Sequence, residues 1–447
     1  MNKLFNIILL GCLAAGVEME LEELDAAPFE IKATANHEDG IYKAGEPIVF
    51  SVQLFDNGKV AAGHKLSYIL RDHDKLNEEG VITTAETPIT LPAKSLQAPG
   101  WLFVHFTLLD ENGKTVKVKG KGPYGVGALV EPEKFVKGRE EPADFDAFWT
   151  AQKERLKTVP LKELERVKFD SKNEKHKGFD IYDVKVSCVG DMPVSGYLTI
   201  PQGAQPKSLK AVVFYHGAGV RSSIIRCMPG AIVFDVNAHG IINGQPLEFY
   251  TKLDKGELAD YRHRGCMQRE TVYYLGMYLR MLRALEYVRT QPEWNGKDLI
   301  VKGHSQGGAQ AIAAASLDPL VTLCLSNAPG HSDHASYVLN KPQSTVGFPR
   351  QYKMENPEEG HWKKLSDSIV YFDTVHFAKR LKCPTYMAEG FADATCIPPQ
   401  VFAVYNNIPA TVPKHMHTKP TGNHGTTPDP AGDAALKALI KRVSEGK

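Results

Sequence analysis

The chain has 447 residues, a formal net charge of +1 and 43% hydrophobic residues. That length exceeds the usual span of one domain, so two are expected, with enough apolar residues for a sizeable core. Near-neutral charge with no concentrated basic stripe excludes a protein devoted to nucleic acid, which would have to neutralise many phosphates.

Met1-Asn2-Lys3 is a short basic start, Leu4–Leu10 is apolar, and Gly11–Gly16 is rich in small residues. This is the layout of an export signal over residues 1–16, too short to cross a bilayer. Leu9-Leu10-Gly11-Cys12 also resembles a bacterial lipoprotein cleavage box, which would make Cys12 a lipid anchor. The expectation is export to the periplasm or beyond, at the outer membrane if Cys12 is lipidated. No later stretch is apolar for long enough to form a membrane helix. The other cysteines (Cys188, Cys227, Cys266, Cys324, Cys383, Cys396) are scattered with no Cys-x-x-Cys pair, so they read as buried thiols and not metal ligands.

From Phe29 to about Val130 the sequence reads as strands and turns, a first domain over residues 28–130. Pro47–Phe55 ends at Asp56-Asn57-Gly58 and Gly100–Leu109 at Asp110-Glu111-Asn112-Gly113, both hairpin chemistry because Asn-Gly takes positive φ easily. In Trp101–Leu108 the alternate residues Leu102, Val104, Phe106 and Leu108 are apolar, so one face of that strand is buried. A small immunoglobulin-like β-sandwich is expected, and no clustered catalytic types lie in it. Carbohydrate binding, spacing or shielding of an active site are its candidate roles, spacing being the plainest.

Lys119–Glu141 is rich in glycine and charge and reads as a linker into the second domain, residues 131–447. Phe145-Asp-Ala-Phe-Trp149 opens a charged helix reaching about Lys157. Ile181–Val189 and Val194–Ile200 suit a hairpin across Gly190-Asp191. Ala211–Tyr215 and Ala231–Val236 are continuous apolar runs, as central parallel strands require. Arg269–Arg289 repeats apolar residues at helical spacing. Strands follow at 298–302, 321–326, 385–389 and 412–419, and 429–443 reads as a closing helix. Strands alternating with helices after an antiparallel entry spell a doubly wound, mostly parallel α/β sheet of α/β-hydrolase type.

The chemistry centres on Gly303-His304-Ser305-Gln306-Gly307, set between a buried strand and the helical run Ala309–Leu317. Strand, tight turn and helix are the context in which Gly-x-Ser-x-Gly marks a nucleophile elbow. A serine hydroxyl needs a base to take its proton and an acid to orient that base, and in this fold they follow in the order Ser, acid, His. Asp393 stands just past the strand Thr385–Glu389, at the edge where ligands bind, and is the candidate acid. Glu389 is second, while Asp373 and Asp367 read as caps or solvent-facing groups. His424, in the glycine-flanked loop Thr421–Gly425, is the candidate base, with His417 second. His415 and His417 share a strand face, but no third metal ligand follows at suitable spacing. The developing oxyanion needs two donors. Gln306 N–H is one. Ala218 N–H, in Tyr215-His216-Gly217-Ala218-Gly219, is the preferred second, with the Tyr215 hydroxyl as alternative. His216 reads as a packed structural histidine.

These motifs, with Tyr371-Phe-Asp373 and Gly390-Phe-Ala-Asp393 followed by Cys396-Ile-Pro-Pro399, resemble the acetyl xylan esterase and cephalosporin C deacetylase family from about Pro142 onward. The resemblance implies an α/β-hydrolase that deacetylates xylose units and small esters, with Ser305, Asp393 and His424 as its triad. It also implies assembly into homo-oligomeric rings, which the leading domain would obstruct. Three features differ from the family pattern. Asn237-Ala238-His239 stands where Arg-Gly-Gln is usual, Gly425 follows the histidine in place of Glu, and His216-Gly217-Ala218 replaces His-Gly-Tyr. The resulting expectation is a secreted serine esterase acting on acetylated plant oligosaccharides or polysaccharides, with no metal or organic cofactor implied. A serine peptidase on the same fold and an inactive carbohydrate-binding surface protein are the rival readings. Neither the propeller nor the substrate-amine clamp usual in such peptidases is found.

Overall fold

The computed structural model describes residues 27–72, 77–120, 122–333, 359–427 and 429–444, so the export signal and Cys12 lie outside the described residues. The leading region holds nine strands: β1 Phe29–Ala35, β2 Ile41–Tyr42, β3 Phe50–Asp56, β4 Lys59–Val60, β5 Lys65–Asp72, β6 Asn77–Thr83, β7 Ile89–Thr90, β8 Gly100–Leu109 and β9 Tyr124–Val130. One sheet has the order β1-β3-β4 with β7 also on β3, and the other runs β2-β9-β8-β5-β6. All these pairs are antiparallel except β2–β9. The Asn57-Gly58 turn has positive φ at both residues, 45° and 80°, as a primed hairpin turn requires. Phe50, Val52 and Leu54 of one sheet share a core with Leu66, Leu102, Val104 and Phe106 of the other.

Two expectations for this region change. The alternation on β8 called for one buried face, yet Trp101 and Phe103 on its other face are also buried, because that face packs against Phe391, Ile397 and Phe402 of the following region. The supposed linker Lys119–Glu141 contains β9, an interior strand whose Val126, Ala128, Leu129 and Val130 have no exposed surface. Its glycines mark close approach and not flexibility. A Cβ at Gly125 would lie 2.1 Å from Val104 O, and one at Gly127 would lie 1.9 Å from Phe391 O.

The second region is built on a nine-stranded sheet: β10 Glu163–Lys168, β11 Phe179–Val186, β12 Val194–Pro201, β13 Leu209–Tyr215, β14 Ala231–Val236, β15 Trp294–His304, β16 Leu323–Asn327, β17 Thr385–Gly390 and β18 Lys414–Lys419. The order is β10-β11-β12-β14-β13-β15-β16-β17-β18, antiparallel as far as β14 and parallel thereafter. The expected hairpin is present as β11–β12, with Val186 opposite Val194. Strand order reverses around β13, and ligands of open α/β sheets bind beyond the carboxyl ends of strands at such a point.

The described helices are α1 Phe145–Lys157, α2 Leu247–Lys255, α3 Tyr273–Val288, α4 Gln306–Leu317, α5 Glu359–Ile369, α6 Thr374–Ala378, α7 Pro398–Asn406 and α8 Pro430–Ser444. Alternation along β13 sends Ala211 and Val213 to the larger core with α1, α3 and α4, and Val212 to the core with Leu436 of α8. The sheet is therefore covered on both faces, which is why its central strands are apolar throughout. Helix α3 starts four residues later than the periodicity implies. The chain turns sharply through Gly265 (φ 68°), and Arg269 is used instead to bind Asp144, 2.6 Å away, and the Tyr371 hydroxyl. That contact ties the Phe145–Trp149 motif to Tyr371–Asp373. Trp149 is 2% exposed and donates its indole N–H to Tyr371 O at 3.0 Å. Trp149→Ala should cost about 3–5 kcal/mol through the lost packing and cavity, read as a lowered guanidinium unfolding midpoint of the second region.

Candidate active site

The turn between β15 and α4 holds Ser305 at φ 58° and ψ −125°, a conformation that side chains other than glycine rarely adopt. Its neighbours must be small. A Cβ at Gly303 would lie 2.1 Å from Gly307 O, and one at Gly307 would lie 2.0 Å from Tyr215 O. Although Ser305 precedes a helix, its side chain makes no capping bond, so the hydroxyl is directed elsewhere. It meets His424 Nε2 at 3.0 Å.

His424 Nδ1 lies 2.7 Å from Asp393 Oδ2. The carboxylate can only accept there, so Nδ1 carries the proton and Nε2 is free to accept from the serine. Asp393 has no exposed surface, and its Oδ1 accepts from the backbone N–H groups of Thr395 at 2.7 Å and Cys396 at 3.0 Å. Burial alone would lower the His424 pKa, but the Asp393 charge and hydrogen bond, with Cys396 beside the ring, hold it well above the ordinary imidazole value. Ser305 and His424 are only partly buried, so a substrate can reach them.

The remaining candidates fall elsewhere. Glu389 is wholly buried, and desolvation followed by the nearby Asp393 charge pushes its pKa well above the carboxylate range. That shift favours its protonated form, and Asp393, not Glu389, is the partner of His424. Asp373 caps α6 by accepting from Val375 N–H at 3.1 Å, and Asp367 pairs with Arg139 at 2.6 Å. His415 and His417 lie on β18, and among the described residues no group of three metal-ligating side chains forms. The six described cysteines are free.

Gln306 N–H opens α4 and Ala218 N–H lies in the loop after β13, and neither donates to a protein acceptor among the described residues. That loop abuts the serine, since a methyl group at Gly217 would lie 3.5 Å from Ser305 Cβ. The Tyr215 hydroxyl does not serve as the second donor. It is buried toward Asp318 and Arg289, at the far end of α4. His216 is structural, as expected. Its Nε2 accepts from Ala238 N–H at 3.0 Å while Nδ1–H donates to Gly217 O at 2.6 Å, and burial followed by nearby Arg221 lowers its pKa to about 3.

Three contributions were not visible in the sequence. The Asn237-Ala238-His239 triplet, which departs from the family pattern, clamps the loop that carries Ala218. His239 Nε2–H donates to Gly219 O at 3.2 Å and Nδ1 accepts from the Tyr273 hydroxyl at 2.8 Å. The Tyr261 hydroxyl accepts from Gly219 N–H at 3.2 Å and donates to Gln306 Oε1 at 3.0 Å, joining the loop after β13 to the start of α4. Tyr261 lies in an irregular segment with no periodicity to mark it. His304 packs against His424 with ring centroids 4.7 Å apart, and burial, then the His424 charge, lowers its pKa to about 4. It stays neutral while His424 titrates.

This mostly parallel sheet, with a strained serine at a strand–helix junction and a buried acid behind a histidine, belongs to the α/β-hydrolases, among the serine carboxylic ester hydrolases. Within that class the chain is a member of the acetyl xylan esterase family, whose model (Acetyl xylan esterase, AXE1) matches residues 128–441. Acetyl esterase Axe7A of Xylanibacter ruminicola is 29% identical over 406 residues, 88% of this chain and 86% of its own. The solved acetyl xylan esterase from Paenibacillus sp. R4 superposes with a TM-score of 0.57 at 26% identity, over 70% of this chain and 98% of its own. Acetyl xylan esterase 1 from Thermoanaerobacterium sp. JW/SL YS485 shares the fold, with a TM-score of 0.55 at 20% identity over 70% of this chain and 97% of its own. The activity is that of a carbohydrate esterase.

A base must be neutral to take a proton, so a raised His424 pKa makes activity fall as pH drops through a midpoint above about 6.5. Asp393→Asn should move that limb to lower pH and reduce kcat by about 10²–10⁴, measured as pH–rate profiles on a soluble acetate ester.

Proposed function

We propose that the protein is an exported serine esterase that removes O-acetyl groups from plant-polysaccharide fragments, acetylated xylan among them. The observation that carries this is the unbroken line Asp393–His424–Ser305, at 2.7 Å and 3.0 Å. Ser305 Oγ attacks the acetyl carbonyl carbon as His424 Nε2 takes the hydroxyl proton, and Asp393 holds the imidazole in the required tautomer. The Gln306 and Ala218 N–H groups hold the negative oxygen of the tetrahedral intermediate. His424 then protonates the sugar oxygen as its bond to the acetyl carbon breaks, so the sugar leaves as a free hydroxyl and the acetyl stays on Ser305. Water, deprotonated by the same histidine, releases acetate and restores the serine. The family and the printed activities of the relatives support acetyl esters of carbohydrate as the substrate class.

Acetate release should be measured on acetylated xylan, pectin and mannan fragments with the wild type and Ser305→Ala. Release from at least one glycan, reduced by about 10³-fold or more in the variant, is the expected result. Equal rates in both would remove Ser305 from the mechanism. Export and lipidation rest on Met1–Gly16 alone. Fractionated cells should carry the wild type in the membrane and lose it from there with Cys12→Ser, and a wild type confined to the cytoplasm would refute both.

A further inference from the structure

We propose that the leading β-region positions the acid and base of this site, with Trp101 and His105 as positioning residues, a role that rests on Asp393 and His424 acting in the proposed esterase. Trp101, Phe103 and His105 alternate on one face of β8, turned away from the leading region's own core. Trp101 and Phe103 stack with centroids 4.1 Å apart and join Phe391, Ile397 and Phe402 in one buried cluster. Two ring N–H groups on this face go to one place. Trp101 Nε1–H donates to Phe391 O at 2.6 Å, and His105 Nε2–H donates to Ala392 O at 2.9 Å. Phe391 and Ala392 immediately precede Asp393.

The histidine loop is held from the same side. Gly127 N–H on β9 donates to Pro420 O at 2.9 Å, and Asn423, next to His424, donates Nδ2–H to Pro123 O at 2.8 Å. The acid loop lies between these two supports. Its Phe391 and Ala392 N–H groups donate to Lys419 O at 3.0 Å at the end of β18 and to Gly422 O at 2.9 Å in the histidine loop, while its carbonyls accept from the leading region. Phe391 and Ala392, the two residues before Asp393, are thereby each held through both N–H and C=O. Burial lowers the His105 pKa, so its ring is neutral with a single N–H, and a carbonyl partner requires that proton on Nε2. The family model begins at residue 128, and the Paenibacillus esterase is matched over 98% of its length by 70% of this chain. Trp101 and His105 thus add a support from outside the residues that the family model matches.

A carboxylate displaced by a fraction of an ångström loses its hold on the imidazole, and misplacement by about 1 Å can cost about 10²-fold in rate. The test uses the full chain with Trp101→Phe, His105→Phe and His105→Gln. The two Phe variants keep an aromatic ring in place and remove separate N–H donors, while Gln offers a donor at similar reach. Circular dichroism and Tm are recorded beside kcat, KM and pH–rate profiles on p-nitrophenyl acetate. Trp101→Phe and His105→Phe should lower kcat about tenfold, leave KM within about twofold, and shift the acidic limb to lower pH as Asp393 loosens. His105→Gln should restore both. Folded Phe variants with wild-type kcat and limb, or losses that track Tm and persist in His105→Gln, would overturn the proposal while leaving Ser305→Ala inactive and the esterase reading intact. A Ser305→Ala protein with full activity would overturn both.

Discussion

A carboxylate with no exposed surface is tolerable only if its acceptor sites are filled, and the candidate site depends on how Asp393 meets that condition. Two backbone N–H groups and one imidazole N–H converge on it. The two amides come from its own loop and set the carboxylate's orientation independently of the histidine loop. With Nδ1 thus committed, His424 can offer Ser305 nothing but the lone pair on Nε2. Neighbouring groups avoid competing by remaining neutral. Glu389 favours its protonated form and His304 goes without a second proton. A single negative charge and a single movable proton are therefore concentrated in a low-dielectric setting, where their interaction is strongest.

Strain at Ser305 is the second constraint, and the sheet supports it. A backbone at φ 58° persists only where surrounding structure leaves no alternative. Here β15 fixes one side through its pairing with β13 and β16, while α4 is pressed so closely against β13 that Gly307 has no room for a side chain. The loop that carries Ala218 is restrained just as fully, by His239 and Tyr261, so in the proposed mechanism its donors would need little reorganisation as charge develops.

Residues whose role is local were readable from the sequence. The serine turn has its own residue pattern, and Asp393 and His424 stand in the order and strand positions that the fold imposes. Parallel strands such as β13 and β14 declare themselves by unbroken apolar runs. Errors arose where a residue serves something distant. Gly125 and Gly127 have the composition of a linker, but each is small because a particular carbonyl lies where its side chain would be. Alternation on β8 identifies which residues share a face without identifying what covers that face. Tyr215 could be placed beside the loop that carries Ala218 by numbering alone, whereas the direction of its ring depends on α4. Tyr261 gives no periodic signal at all, because its use depends on two loops that meet only in the folded chain.

The contact between β8 and the acid loop has a consequence for the order in which the molecule is made. Trp101 and Phe391 are separated by 290 residues. At ribosomal speeds of about 5–20 residues per second, the outer face of β8 is synthesised about 15–60 s before the segment that will cover it. Throughout that interval a strip containing Trp101 and Phe103 lies on an otherwise complete sheet, available to any apolar surface nearby. The leading region is thus finished early but left adhesive, and it becomes inert only when the residues that build the reaction centre dock upon it. Concealing the hazard and completing the enzyme are one event, so a molecule that has not assembled its site still advertises the fact to chaperones and proteases.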